Sequence, residues 1–350
     1  MKRKTLALSI AVVTFTVGLL LAKLSIPQIR PKTPPNRSNL PVSNYSLSGP
    51  FSYENLTIFL IHGPDLPNSK LFVPLQEAME RKLVIVHETS DVNELAIENL
   101  SKTDEVFVQA GDIVKGGQQD RLLAVDLIVA SRSGKTPIDA FCVEHGRWQQ
   151  RGAESADQFS SSAMVAPKNL RMAAKESRSQ AKVWDEVAVA QRSLSRSVND
   201  DVAGVASPSS LQLTIENEKV QESAAAYTKK LSSIVDGNSD VIGYVFAINN
   251  KLNSADVYAS GALFKRFWPK LLRTTAIEAV AERGGSEKTE TVYAEAIQVF
   301  LADAERGQES TNDVTERTRM IKREAEKGLF FETRDMAQAG AWVHRSYLAK

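Results

Sequence analysis

Short apolar runs, separated by residues that form turns, constrain the fold of this chain more than any other feature of its sequence. In the first half they are NLTIFLIHG, ELAIENL, EVFVQAG, RLLAVDLIVA and KTPIDAFCVE. Each run has the length of a strand, and turn-forming stretches such as SRSGK lie between them. In contrast, FVPLQEAMERKLV spaces Phe72, Leu75 and Met79 as one face of a helix does. The first half is therefore predicted to be rich in β-strands, with one early helix.

Helical spacing becomes more frequent after Ser160. We predict helices over KVWDEVAVAQRSL, from Val220 to Ile234 and around Pro269, with DDVAGVASPSS as an exposed loop. VIGYVFAI is apolar on both faces, as a central strand is, and the Asn249-Asn250 pair after it suits a hairpin turn. GLFFETR and AWVHRSYL are predicted to pair as strands. The expectation is an α+β fold with a β-rich N-terminal half and a helix-rich C-terminal half.

Composition and charge exclude several classes of function. The chain has 350 residues, of which 43% are hydrophobic, enough for a substantial core. Lys plus Arg is 43 against 42 for Asp plus Glu, so no broad positive field favours nucleic-acid binding. The single cysteine, Cys142, excludes an internal disulfide and a cysteine-based zinc cluster. The 4 histidines are scattered and no HExxH helix exists, so no metal site is predicted.

The N-terminus is typical of a membrane segment. Lys2-Arg3-Lys4 precedes an uncharged run from Thr5 to Ala22, which as a helix would span roughly 27 Å at about 1.5 Å per residue. We favour a retained single-pass anchor in the inner (cytoplasmic) membrane with the folded part outside, and the alternative is secretion after cleavage of a signal peptide. The predicted organisation is a membrane or signal segment at 1–25, a Pro/Ser/Asn-rich linker at 26–50 and one globular domain at 51–350.

The stretch VQAGDIVKGGQQDR, residues 108 to 121, concentrates glycines and polar residues directly after an apolar run. Its glycine spacing resembles that of a P-loop, but Gly117-Gln118 stands where the phosphate-binding Lys-Ser/Thr belongs, and the dinucleotide pattern GxGxxG is absent. Two interpretations remain. The glycines form a strand connection in which Asp120 and Arg121 pair structurally, or the turn presents Asp112, Gln119 and Arg121 to a ligand.

CVEHGRW, residues 142 to 148, is the second concentration of polar chemistry. Glu144 has the chemistry of a general base, Arg147 that of a bidentate anion ligand and Trp148 that of a stacking platform. The structural alternative pairs Arg147 with Glu144, places Trp148 at the core edge and makes Cys142 a small buried hydrophobe. Both interpretations stay open at this point.

Several motifs in one order carry a resemblance to a known family. GD followed after three residues by GGQQDR, then CVEHGRW, FSSSA, VWDEV, VIGYVFAINNK and HRSYL, resembles the ARG and rhodanese-phosphatase-superfamily-associated protein domain, in which ARG denotes ADP-ribosylglycohydrolase. The likeness runs from about Tyr53 to Leu348. His145 stands where the family often has Gln, which counts against His145 as a catalyst.

The resemblance implies a joint role for the two motifs. Asp112 and Glu144 would be catalytic acids, and the ligand-binding residues would be Gln119, Arg121, Arg147 and Trp148, converging at one end of a sheet. By association alone, it points to ADP-ribose, NAD or another phosphorylated small molecule, and the cofactor is left unknown. We therefore carry two hypotheses, a ligand-binding or hydrolytic domain and a non-enzymatic, membrane-tethered envelope interaction module whose motif residues form a buried structural network.

Overall fold

The computed structural model describes residues 45–66, 70–89, 91–147, 151, 158–284 and 291–350. All of these residues lie in one compact unit, Pro41–Lys350. The predicted membrane segment at 1–25, most of the predicted linker and Trp148 lie outside the described residues. Within the described residues, every helix is too short or too polar to cross a bilayer.

The strands in the described part of the chain form three sheets. The largest has the order β1-β2-β12-β13-β17-β16-β15-β14, the second β11-β7-β8-β10-β5-β4 and the third β3-β6-β9. The strands are β1 Ser46–Tyr53, β2 Leu56–His62, β3 Val73–Pro74, β4 Val84–Glu88, β5 Glu94–Asn99, β6 Val106–Val108, β7 Asp112–Gly116, β8 Arg121–Leu123, β9 Leu127–Val129, β10 Thr136–Cys142, β11 Phe159–Val165, β12 Val241–Ile248, β13 Lys251–Tyr258, β14 Gln308–Asp313, β15 Thr318–Glu324, β16 Gly328–Asp335 and β17 Ala341–Ala349.

Helices cover both faces of the largest sheet. They are α1 Leu75–Glu80, α2 Lys168–Lys175, α3 Gln180–Val198, α4 Leu211–Glu216, α5 Glu218–Leu231, α6 Gly261–Ala281 and α7 Ala294–Glu305. Alternate residues of β12 enter two different cores, because successive strand side chains point to opposite faces. Tyr244 and Phe246 pack in the core that contains α6, whereas Val245 packs with Ile297 and Phe300 of α7.

The sheet confirms the strand pairings expected from the sequence. β12 and β13 pair antiparallel through Asn249 and Asn250, whose φ angles of 49° and 61° suit a tight hairpin. β16 and β17 also pair antiparallel, as predicted for GLFFETR and AWVHRSYL. β1 begins at Ser46 and pairs with β2, so the sheet starts within the segment predicted as linker.

The prediction of a helix-rich C-terminal half is wrong, although the mixed α+β class is confirmed. Among the described residues, β12 to β17 all follow residue 240 and make up most of the largest sheet. β14 is exposed along its whole length, so it has none of the alternation that marks a strand in a sequence. Pro269 lies inside α6, as expected for a helix around that residue.

The run RLLAVDLIVA, predicted as one strand, is divided between two sheets. β8 pairs with β10 in the second sheet, whereas β9 pairs with β6 in the third. The chain crosses between the sheets at Asp126, which is 3% exposed. This crossing delivers a carboxylate to the interior of the fold.

Candidate functional site

The glycine-rich stretch forms the turn between β7 and β8. Gly116 and Gly117 have φ angles of 110° and 55°, which residues with a side chain rarely adopt. A Cβ at Gly117 would lie 2.5 Å from the ring of Phe159. The Gly116 amide donates to Asp120 Oδ1 at 3.0 Å, and the Asp120 amide donates to Glu144 Oε1 at 2.8 Å. The turn therefore joins the two motifs.

Two carboxylates and two guanidinium groups form a buried cluster beside this turn. Arg147 Nε donates to Glu144 Oε1 at 2.7 Å, and Arg151 donates to Asp120 Oδ2 at 2.8 Å. Arg151 also lies 3.5 Å from Glu144 Oε2. All four side chains are buried. We name Asp120, Glu144, Arg147 and Arg151 the motif cluster.

Burial and pairing shift the pKa values of the two acids of this cluster in opposite directions. Burial raises the pKa of Asp120, and the neighbouring Glu144 carboxylate raises it further. Burial also disfavours the charged form of Glu144, but hydrogen bonds from Arg147, the Asp120 amide and Ser207 hold its pKa below the ordinary value. Glu144 is thus stabilised as a carboxylate by groups of the protein itself.

The segment predicted as an exposed loop, residues 200–210, contributes to this cluster. Ser207 Oγ donates to Glu144 Oε2 at 2.8 Å, and Arg151 donates to Ser210 Oγ at 3.0 Å. Both serines are buried, so the exposed-loop prediction is wrong at these positions. The buried charges require polar partners, and small hydroxyl residues supply them without adding bulk.

Arg121 and Gln119 lie next to the motif cluster. Arg121 is fully buried, donates to the Gln119 carbonyl at 3.1 Å and lies 3.7 Å from Glu88 Oε2. Gln119 Nε2 donates to the Glu144 carbonyl at 3.4 Å. Burial raises the pKa of Cys142, which counts against a thiolate nucleophile. The structure brings Gln119, Arg121, Glu144 and Arg147 into one region, as predicted.

Asp112 belongs to a different part of the fold. It begins β7, whereas Gly116 ends that strand beside the motif cluster, roughly 13 Å away at about 3.3 Å per residue. Lys270 Nζ of α6 donates to Asp112 Oδ1 at 2.6 Å, and the Gln109 amide donates to Oδ2 at 3.0 Å. Asp112 therefore pairs with Lys270 and does not join Glu144 as a second acid.

A second buried network lies between the large sheet and the crossing at Asp126. His344 Nδ1 lies 2.8 Å from Asp126 Oδ2, and His344 Nε2 lies 3.2 Å from Asp256 Oδ1. Arg171 of α2 contacts both oxygens of Asp256 at 3.4 Å. Each of these four side chains is at most 4% exposed. We name Asp126, His344, Asp256 and Arg171 the core network.

The two aspartates set the charge of the imidazole between them. Burial disfavours the charged form of His344, but Asp126 and Asp256 raise its pKa above the ordinary value. Burial likewise opposes ionisation of Asp126, yet His344 and Lys175 lower its pKa. The Ala110 amide and Thr333 Oγ1 donate to Asp126 at 2.7 and 2.6 Å. The arrangement stabilises an imidazolium between two carboxylates.

Lys175, at the end of α2, connects the core network to an open groove of about 540 Å³. Its Nζ lies 4.1 Å from the centre of the Phe331 ring, and the side chain is half-buried. Burial lowers the pKa of Lys175, with Asp126 opposing the shift. We name this cavity the Lys175 groove; it is lined by Glu94, Val125, Pro137, Ile138, Asp139, Lys175, Glu176, Arg178, Asn312, Asp313, Val314, Met320 and Lys322.

Comparison with known proteins identifies the domain. Residues 44–348 match the family described as the ARG and Rhodanese-Phosphatase-superfamily-associated Protein domain. The chain belongs to that family. No curated protein and no solved structure matches this chain significantly.

In this member of the ARG and rhodanese-phosphatase-superfamily-associated protein domain family, sequence reasoning missed the core network. Asp126 lies within the apolar run RLLAVDLIVA, Asp256 lies within the strand KLNSADVY, and His344 lies within AWVHRSYL. A charged residue inside an otherwise buried strand was the available signal, because such residues are costly to bury without a partner. The described residues contain no group of three or more His, Cys, Asp or Glu side chains suited to a metal ion.

Proposed function

We propose that this chain is a small-molecule-binding domain that takes an anionic, phosphorylated ligand in the Lys175 groove. The observation that carries the proposal is that the Lys175 side chain faces an open cavity without a carboxylate partner in the described residues. Among the described residues, no carboxylate lies within ion-pair distance of its ammonium group, although the group lines an open polar cavity. A lysine with a shifted pKa in a cleft is a recognised mark of a functional site.

The other cations of the groove are already paired. Arg178 lies 2.6 Å from Asp139 Oδ2, and Lys322 donates to Glu176 Oε1 at 2.6 Å. Lys175 has an aromatic ring as its near neighbour instead. A phosphate oxygen beside Lys175 would supply a negative partner at ion-pair distance, and it would raise the lysine pKa towards its ordinary value.

The core network supports binding more than hydrolysis. Asp126 and His344 lie behind Lys175 in the interior, where His344 is 1% exposed. Because they are enclosed, Asp126 and His344 influence the electrostatic potential in the Lys175 groove but do not contact a substrate bound there. The family name links the domain to ADP-ribosylglycohydrolase, so ADP-ribose is the first phosphorylated compound to test.

A thermal-shift comparison on the full-length protein tests this proposal. ADP-ribose, inorganic pyrophosphate and ribose would be added to the wild type, to Lys175→Met and to Lys229→Met, whose lysine is exposed on α5. A ligand at one hundred times its dissociation constant stabilises the folded state by about 2.7 kcal/mol. We expect stabilisation by the phosphorylated compounds, abolished in Lys175→Met and retained in Lys229→Met. Equal shifts in both variants, or no shift in the wild type, would overturn the proposal.

The second candidate is a membrane-tethered interaction module, and the burial of the motif cluster favours it. Glu144 and Arg147 bind each other and neighbouring protein groups, as a structural network does. This candidate retains the anchor proposed for the N-terminus. Cell fractionation of the full chain and of a form lacking residues 1–25 tests the anchor. The anchor predicts that the full chain stays in the membrane fraction after a high-salt wash, whereas the shortened form does not. If high salt removes both forms from the membrane fraction equally, the anchor is contradicted.

A further inference from the structure

A cavity of about 280 Å³ lies between α2, α3, α4 and α6, apart from the Lys175 groove. Its volume is close to the lower end of the range for small-molecule sites, roughly 300–1,000 Å³. Apolar side chains from all four helices line it, among them Leu170, Ala190, Leu211 and Ile277. We name this space the Glu278 cavity, after the buried acid among its lining residues.

A β-bulge places an amide at this cavity. Between β12 and β13, Phe246 pairs with Ser254 and Ala247 pairs with Leu252, which leaves Asn253 as the extra residue. Bulges re-aim side chains, and they are frequent beside binding sites. Asn253 lines the cavity and is 4% exposed, and its Oδ1 has no hydrogen-bond partner. An unpartnered buried acceptor is costly unless a donor reaches it.

Glu278 provides a second acceptor next to this amide. Its Oε2 accepts from Asn253 Nδ2 at 3.0 Å, and its Oε1 accepts from the Lys168 amide at 3.2 Å. Glu186 and Glu282 also line the cavity, and Lys168 is the one basic lining residue among the residues that the structure describes. Burial raises the pKa of Glu278, with Arg171 behind it opposing that shift. A positively charged hydrogen-bond donor would therefore be favoured at this end of the cavity.

We infer that the Glu278 cavity is a second ligand site, which takes a small organic amine with an apolar tail. The ammonium group would donate to Asn253 Oδ1 and Glu278, since each has acceptor capacity left. The tail would lie against the apolar lining residues, where removal of its methylene groups from water favours binding. The charge preference is opposite to that of the Lys175 groove, so the two sites select different compounds.

Three probes of similar length separate charge from hydrophobicity. Hexylamine, hexanol and hexanoate would each be titrated into the full-length protein, with binding measured by calorimetry and by thermal shift. We expect hexylamine to bind at least tenfold more tightly than hexanol, with hexanoate weakest. Binding of hexanoate as tight as that of hexylamine would overturn the inference, as would the absence of binding by hexylamine.

A pair of variants on α3 locates the site. Ala190 lines the cavity, whereas Ala181 is exposed on the same helix and does not line it. Ala190→Trp is expected to abolish hexylamine binding by filling the space, and Ala181→Trp is expected to leave it unchanged. If Ala190→Trp fails to fold, Val189→Trp replaces it, because Val189 is 41% exposed and lines the same cavity. Hexylamine binding that survives a folded cavity variant would place the site elsewhere and refute the assignment.

Discussion

His344 Nδ1 and Asp126 Oδ2 lie 2.8 Å apart in the interior of the fold, although 218 positions separate the two residues in the chain. The contact joins the C-terminal strand β17 to the crossing between β8 and β9. It therefore ties the largest sheet to the point where the chain passes between the other two sheets.

Replacement of His344 by Gln is expected to lower the free energy of unfolding by about 3–5 kcal/mol, because it leaves buried carboxylates without their charged partner. Urea denaturation near pH 6 measures this change. The matched control is His145→Gln, an exposed position that needs no buried charge partner. A cost at His344 no larger than at His145 would show that the imidazole is not charged in the folded state.

The difference in stability between wild type and His344→Gln should depend on pH. The raised pKa of His344 makes its contribution complete below the unfolded value of about 6.5, and that contribution is lost as pH rises through the folded pKa. The lowered pKa of Asp126 makes its contribution complete above about 3.9 and lost as pH falls. The difference should be largest between about pH 4 and 6.5. A series of urea curves across pH checks this, and a flat profile would contradict it.

Arg121→Ala distinguishes structural from ligand-binding roles in the glycine-rich motif. Arg121 is fully buried beside Glu88, whereas Arg178 is exposed beside Asp139. Truncation at Arg121 should cost about 3–5 kcal/mol, while Arg178→Ala should cost about 0–1 kcal/mol. Chemical denaturation of both variants measures the difference. Equal, small costs would favour a ligand role for Arg121.

Gly117→Ala tests how tightly the turn is packed. Gly117 and Gly146 both have positive φ, 55° and 83°, but only a Cβ at Gly117 meets neighbouring atoms. Gly146→Ala should therefore cost about 1 kcal/mol from backbone strain, and Gly117→Ala should cost clearly more. Melting temperatures of the two variants compare them directly. A cost at Gly117 equal to that at Gly146 would mean that Phe159 moves away freely.

Lys175→Met should leave stability unchanged or raise it. The lowered pKa of Lys175 means that its charged form is disfavoured in the folded state, so the penalty is present below its unfolded pKa and disappears as pH rises. Lys270→Met is the matched control, because Lys270 pairs with buried Asp112 and its loss should cost about 3–5 kcal/mol. Denaturation at pH 7 measures both. A large cost at Lys175 would assign that residue a structural role.

Local patterns predicted the elements of the fold better than their assembly. The hairpin at Asn249-Asn250 follows from residues that tolerate positive φ, and β12 follows from its uninterrupted apolar run. β14 gave no such signal, because an edge strand exposed on both faces has no hydrophobic side. The extent of the C-terminal sheet was therefore underestimated.

The candidate site was only partly predictable for a related reason. Gln119 and Arg121 are close in sequence, and Glu144 lies two residues after β10, which pairs with the strand of Arg121, so their approach could be foreseen. Ser207 and Ser210 are small polar residues in a loop-like segment, and sequence does not distinguish a surface serine from one that binds a buried charge. The partners in the core network come from distant strands, and their pairing depends on the complete topology.

Helix α2 contributes a side chain to each of the two cavities. Lys168 lines the Glu278 cavity and Lys175 the groove, about 10 Å apart along the axis at about 1.5 Å per residue. That separation is close to the screening length in physiological salt, and the intervening space is protein, so bound charges would interact. An amine in one cavity and a phosphate in the other would attract, and each would tighten binding of its counterpart by the same factor. The protein would then respond to the coincidence of two compounds more strongly than to either one alone.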